Sequence, residues 1–332
     1  MTGPVFIIGC PRSGTTLLLD LLAGTRSFGY VSTTGRHCDV TEAVHGRTRV
    51  YDTPVGDLLY AHREKLIGGA SRLGPVGPLV RRCLPKAIEP WKFWEDLVPN
   101  FRPEFGDGPA VDPNGLDLSL KAIERTQDVV ATLLERQRRD IFLSKYTDFP
   151  RVDLLRTIFP DARFVHISRD PYAVANSYAV EIEQSRFGTW AYRDWWAAQW
   201  PEQAREQWRS SGETMLGFAA HNRNRLVSLI EESTAGDRGV LHVTYEELTL
   251  EPIWVLRRIL SFVGIANRAD LGRLVDSRRI ANTNQRWQSR RSAAEVAVLD
   301  AAFANHALVE EPISLPDGPH ADTTASVRKP RT

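Results

Sequence analysis

The chain has 332 residues, 42% of them hydrophobic and 25% charged, and a formal charge of +1. That suits a globular protein with ample length for a core, and a charge so near zero excludes the broad basic surface of a nucleic-acid or anionic-membrane binder. Cys10, Cys38 and Cys83 are scattered without metal-ligand spacing, and no apolar run reaches the roughly 18 residues a membrane span needs.

Val5 to Ile8 is an apolar run that stops at Gly9-Cys10-Pro11-Arg12-Ser13-Gly14, and a second apolar segment runs from Thr15 to Ala23, stopped by Gly24. The pattern predicts strand, tight loop and helix. Backbone N–H groups of such a loop, with the helix N-terminus, form an anion site for phosphate or sulfate. The spacing Gly9-x4-Gly14 is that of a P-loop, but Thr15 stands where a nucleoside triphosphatase has lysine. The expected ligand is therefore an anionic nucleotide that is not hydrolysed at a γ-phosphate. Pro11, Arg12 and Asp20 interrupt the first 22 residues, so a secretory leader is not expected there. With an odd cysteine count, this points to the reducing cytoplasm.

A polar stretch with Thr33, Thr34, His37, Asp39, Glu42 and His45 follows, read as a loop with a short helix. From Gly68 to Gly115 glycine and proline are dense, and Glu89 to Val98, with Trp91, Phe93, Trp94 and Leu97, forms a short amphipathic helix within what reads as a mobile insert or lid. Leu118 to Arg139 has helical periodicity. Ile141 to Ser144 is the second strand, ending at Lys145, and Val152 to Phe159 a helix closed by Pro160-Asp161. Arg163 to Ser168 is the third strand, and Asp170 and Pro171 supply the N-cap and first-turn proline of a helix running through Ser177. Trp196, Trp200 and Trp208 fall at helical spacing within a segment that also holds Trp190 and Trp195, a pattern favouring a buried helix face over an aromatic binding box. Val240 to Thr244 is the fourth strand, followed by Tyr245-Glu246 and a helix from Pro252 to Val263. Strands alternating with helices imply an α/β fold with a parallel central sheet flanked by helices. The tail beyond Pro312 is expected to be disordered.

In open parallel sheets ligands bind beyond the carboxyl ends of the strands. Arg12, Lys145, Arg169 and Tyr245 each fall at such an end. Arg169 precedes a capped helix with Ser177 two turns along, and a guanidinium fork plus a hydroxyl suits a phosphate monoester. Two anion sites on one sheet imply a ligand with phosphates at both ends.

Three blocks of residues resemble the sulfotransferases that use 3′-phosphoadenosine 5′-phosphosulfate (PAPS). They are Pro11-Arg12-Ser13-Gly14-Thr15-Thr16; Phe159-Pro160-Asp161-Ala162-Arg163-Phe164-Val165-His166-Ile167-Ser168-Arg169-Asp170-Pro171 with Ser177; and Tyr245-Glu246-Glu247-Leu248 with Pro252 and Phe262-Val263-Gly264. The resemblance covers the first 25 residues and about 140 to 265, and Arg12 follows the arginine pattern of bacterial and Golgi-type members. It implies a P-loop-like sulfotransferase fold, with one domain over 1–311, a helical, irregular acceptor-side insert at about 30–118 and a tail at 312–332. It also implies sulfuryl transfer from PAPS, without a metal, to the hydroxyl or amine of a small-molecule, lipid or peptide acceptor.

Carried over by residue, Arg12, Ser13, Gly14, Thr15 and Thr16 would hold the 5′-phosphosulfate, and Arg169 and Ser177 the 3′-phosphate. Tyr245 would lie near the adenine, and Arg286 and Trp287, with Arg290, would form a closing segment. Arg12, the loop amides and Lys145 would stabilise charge developing on the bridging oxygen. Many relatives place a histidine shortly after the lysine of strand two, but here the stretch is Lys145-Tyr146-Thr147-Asp148-Phe149-Pro150. Glu42 is then the first candidate for general base, with His37 and Asp148 behind it. His166, in mid-strand, is expected to pack or bond locally. The competing readings are a small-metabolite P-loop kinase and a non-catalytic sulfonucleotide-binding relative.

Overall fold

The computed structural model describes residues 3–33, 48–70, 83–98, 101, 118–184, 190–266, 269–278 and 280–304. Cys38, the base candidates Glu42 and His37, much of the expected insert, the side chain of Trp190 and the expected tail lie outside the described residues. In chain order the regular elements begin with β1 (Val5–Ile8), α1 (Thr15–Gly24), β2 (Gly29–Tyr30), β3 (Ser32–Thr33), α2 (Gly56–Ala70), β4 (Lys86–Ala87) and α3 (Trp91–Leu97). They continue with α4 (Leu120–Gln137), β5 (Phe142–Tyr146), α5 (Val152–Ile158), β6 (Arg163–Ser168), α6 (Pro171–Gln184), α7 (Trp190–Ala198), α8 (Glu202–Ser210) and α9 (Met215–Thr234). β7 (Val240–Thr244), α10 (Tyr245–Leu250), α11 (Pro252–Val263), α12 (Leu271–Asp276) and α13 (Ala293–Phe303) complete the series.

The central sheet has the order β2-β5-β1-β6-β7 with every pair parallel. All four residues of β1 are buried, as a middle strand covered on both faces requires. Val5 and Ile7 pack with α1, α11 and α12 on one face, and Phe6 and Ile8 with α3, α4 and α5 on the other. A third cluster joins α6 to α9 and α13 and includes Trp196, Trp200 and Trp208; the three are buried, but they do not share one helix face, since Trp196 lies in α7, Trp208 in α8 and Trp200 in the turn between them. Helix starts follow side-chain chemistry. Asp170 Oδ1 accepts from Ala173 N at 2.7 Å ahead of Pro171, and Thr244 with Glu247 and Ser292 with Glu295 form reciprocal capping boxes.

Two further expectations need correction, and one strand goes unread in the sequence. The second strand runs Phe142–Tyr146, so Lys145 lies inside it, in register with Ile7, instead of just beyond it; pairing with β1, not the end of an apolar run, sets the boundary. The edge strand β2 carries no hydrophobic pattern and is held by Gln137, whose side-chain amide bonds both Tyr30 N (3.0 Å) and Tyr30 O (2.8 Å). Finally, Glu89–Val98 is scaffold, not lid. Phe93, Trp94 and Leu97 are buried, and Trp94 meets Phe6 of β1 edge-on at 6.3 Å and stacks on Phe101 at 5.5 Å.

His166 pairs in register with His242 of the neighbouring strand, the two Nδ1 atoms 3.1 Å apart, one ring donating and the other accepting. Burial, reinforced by the charges of His242 and Arg223, pushes His166 down to about 3. Among the described residues no helix is long and apolar enough to cross a membrane.

Candidate functional site

The loop after β1 lies close against β6: a Cβ on Gly9 would stand 2.6 Å from the Ile167 carbonyl oxygen, so only glycine fits there. Arg12 (φ 71°) and Gly14 (φ 102°) both take left-handed backbone, and Ser13 N donates to Cys10 O at 3.2 Å. This turn buries Ser13 Oγ without any partner. Gly14 caps α1 with no side-chain acceptor for the first-turn amides, which leaves donors of the kind that hold an anion. Burial pushes the Cys10 thiol far up, making it an inert loop residue.

Lys145 reaches this turn from β5. Its buried Nζ lies 2.9 Å from Thr16 Oγ1, 3.5 Å from Thr15 Oγ1 and 3.0 Å from Glu89 Oε2. Glu89 is in turn fixed by Thr147, whose backbone N (2.6 Å) and Oγ1 (2.8 Å) both donate to Oε1. The β3–β4 pairing carries Glu89 there, with Ile88 N donating to Val31 O at 3.3 Å.

Arg12 points toward α6. Its Nε donates to Ser177 Oγ at 2.9 Å, and Nη1 lies 3.6 Å from Glu181, one turn further along. Arg169, at the end of β6, is caged. Nη1 donates to the Arg12 carbonyl oxygen, Nε to Asn284 Oδ1 and Nη2 to Thr283 Oγ1, each at 2.9 Å. Its guanidinium lies 4.2 Å from the centre of the Tyr245 ring. Burial lowers the Arg169 pKa, while Tyr245, Glu246 and Asp170 oppose the shift. Tyr245 is buried, with its hydroxyl donating to Ala281 O at 2.9 Å. Glu246 accepts from Asp170 N (3.1 Å) and from Asn284, joining the cage to the cap of α6. The short helical turn Asn284–Trp287 carries exposed Arg286, and Trp287 stacks on Tyr172 at 5.1 Å.

These groups surround a cleft of about 370 Å³. Its lining includes Arg12, Gly14, Thr15, Thr16, Lys145 and Arg169, together with Glu89, Trp91, Asp148, Tyr178, Glu181 and Ile182. Of the residues singled out from sequence, the structure thus gathers Arg12, Gly14, Thr15, Thr16, Lys145, Asp148 and Arg169. Ser177 is close by and accepts from Arg12, and the Tyr245 ring carries the Arg169 guanidinium on its face. Glu89, Thr283 and Asn284 escaped sequence reading. The polar run Asn282-Thr283-Asn284 before Trp287 was a usable signal, whereas nothing in the sequence marks Glu89. Among the described residues no cluster of three His, Cys, Asp or Glu stands ready for a metal.

Residues 110–270 match the family model described as the sulfotransferase family. The omega-hydroxy-beta-dihydromenaquinone-9 sulfotransferase Stf3 of Mycobacterium bovis, and likewise that of Mycobacterium tuberculosis, is 30% identical over 179 residues. That match covers 52% of this chain and 43% of the relative, so less than half of the relative's length is represented. The solved sulfotransferase STF9 from Mycobacterium avium aligns with 91% of this chain and 75% of its own, at 17% identity and a TM-score of 0.49.

Proposed function

We propose that this protein, whose residues 110–270 match the sulfotransferase family model, transfers a sulfuryl group from PAPS to the hydroxyl or amine of a small-molecule, lipid or peptide acceptor. The observation that carries this reading is a pair of cations from the two strands that flank β1, both lining one cleft. Lys145 sits over the first turn of α1, and Arg169 is caged beside the loop. The residues present fit such a donor: Ser13 Oγ is a buried orphan in a tight turn, and the first-turn amides lack a side-chain cap.

When bound, PAPS supplies a sulfuryl group on a phosphate leaving group. Arg12, Ser13, Gly14, Thr15 and Thr16 hold its 5′ end through loop amides and hydroxyls, and Lys145 neutralises charge that builds there as the bond to sulfur breaks. Arg169 takes the 3′-phosphate. Each of its three nitrogens spends one donor in the cage, which leaves one N–H on each Nη for an anion. Ser177 contributes by holding Arg12 beside it. Tyr245 carries Arg169 on its ring face and lies near the adenine, and Arg286 and Trp287 form the closing segment beside the cage. Trp91, Tyr178 and Ile182 support an acceptor with an apolar body; the name of Stf3 makes a hydroxylated menaquinone that protein's substrate. We assign 1–311 to a single domain and place the protein in the cytoplasm, where Cys10 and Cys83 stay reduced.

Calorimetric titration with adenosine 3′,5′-bisphosphate and with ADP, each with and without magnesium, tests the reading. A metal-independent preference for the bisphosphate of about tenfold or more is expected. Preference for ADP with magnesium overturns it in favour of a kinase.

A further inference from the structure

Lys145 shares its ammonium between the anion loop and one carboxylate, Glu89. We propose that Glu89 is the general base that receives the acceptor's proton, a role that rests on the sulfotransfer reading above. Two donors from Thr147 hold Oε1 and set the plane of the carboxylate. Oε2 is then directed at Lys145, which is itself within hydrogen-bond distance of the first turn of α1. The side chain is only 15% exposed and lines the cleft beside Trp91.

The other described carboxylates of the cleft are placed differently. Glu181 is half exposed and pairs with Arg12. Asp148 sits on a left-handed turn (φ 69°), and its charge bears on the buried Cys10 thiol. Glu89 is tied to the cation that faces the loop. An anion in the loop competes with Glu89 for Lys145, and as the ammonium moves toward the loop, Oε2 is released toward the acceptor. In the step itself the acceptor oxygen bonds to sulfur as the bond from sulfur to the bridging phosphate oxygen breaks. The hydroxyl proton passes to Glu89 Oε2, and adenosine 3′,5′-bisphosphate leaves with the electron pair.

The test uses Glu89→Gln, which keeps an oxygen for Thr147, and two probe acceptors, 1-octanol and 4-nitrophenol at alkaline pH, where the phenol is already ionised. Transfer to 1-octanol should fall by about 10²–10⁴-fold, transfer to 4-nitrophenolate by about fivefold or less. Calorimetric affinity for adenosine 3′,5′-bisphosphate should hold or tighten, because a negative charge has left the anion site. Glu89→Asp, whose carboxylate is one methylene short, should regain part of the alcohol activity. If the wild type refuses 1-octanol, hydrolysis of the donor by water replaces it as the base-requiring reaction, with the same expected fall. Equal losses with both acceptors, weakened bisphosphate binding or unchanged alcohol transfer each overturn the assignment, the last passing the role to Glu42 or His37. A wild type that does not bind the bisphosphate sinks the sulfotransfer reading itself, an outcome separate from any behaviour of the variants.

Discussion

The proposed donor side of the cleft is dominated by one short run of neighbouring residues, Gly9 to Thr16, whereas the proposed acceptor side is assembled from distant segments: Glu89 and Trp91, Asp148, and Tyr178 to Ile182. Backbone geometry holds the first, through left-handed residues at Arg12 and Gly14 and the close approach of Gly9 to β6. The hydrophobic core holds the second, since Trp91 and Glu89 adjoin a helix whose Phe93, Trp94 and Leu97 are packed onto the sheet. A change on the donor side should therefore alter charge chemistry in an intact fold, while a change behind the acceptor wall should reach stability first.

The largest expected effect is on the acceptor side. Trp94→Ala empties a fully buried site between Phe6 and Phe101 and should cost about 3–5 kcal/mol in denaturant unfolding. A loss within the range of an ordinary surface substitution would show that the wall does not depend on the core. Next, on the donor side, Lys145→Ala should lower kcat by about 10²–10³-fold and weaken bisphosphate binding much less. Losing both to the same degree would make Lys145 a holder of the ground state and not a stabiliser of developing charge. The smallest is Arg169→Ala, which should erase about tenfold to hundredfold of the preference for adenosine 3′,5′-bisphosphate over AMP, with the fold retained. Equal weakening toward both nucleotides would separate Arg169 from the 3′-phosphate.

The same contrast divides what could be read from the chain. The turn at Gly9 to Gly14 was legible because its geometry is set by consecutive residues, with left-handed backbone at Arg12 and Gly14. The capped start of α6 at Asp170-Pro171 was legible for the same reason. Lys145 was recognised but set just past its strand, since an apolar run ends before the pairing with β1 does. The hydrogen bond from Arg12 to Ser177 joins residues 165 apart in the chain, a contact that no local pattern records.

By itself the sequence determined the parallel α/β sheet and the tight turn after β1, because buried strands announce themselves as continuous apolar runs and the turn's chemistry lies in consecutive residues. Only the tertiary structure decided which carboxylate meets Lys145. Glu89 and Thr147 are 58 residues apart in the chain. Their meeting depends on the β3–β4 pairing and on Trp94 seating against β1, and contacts between remote segments follow from register and packing, which no local pattern of side chains records.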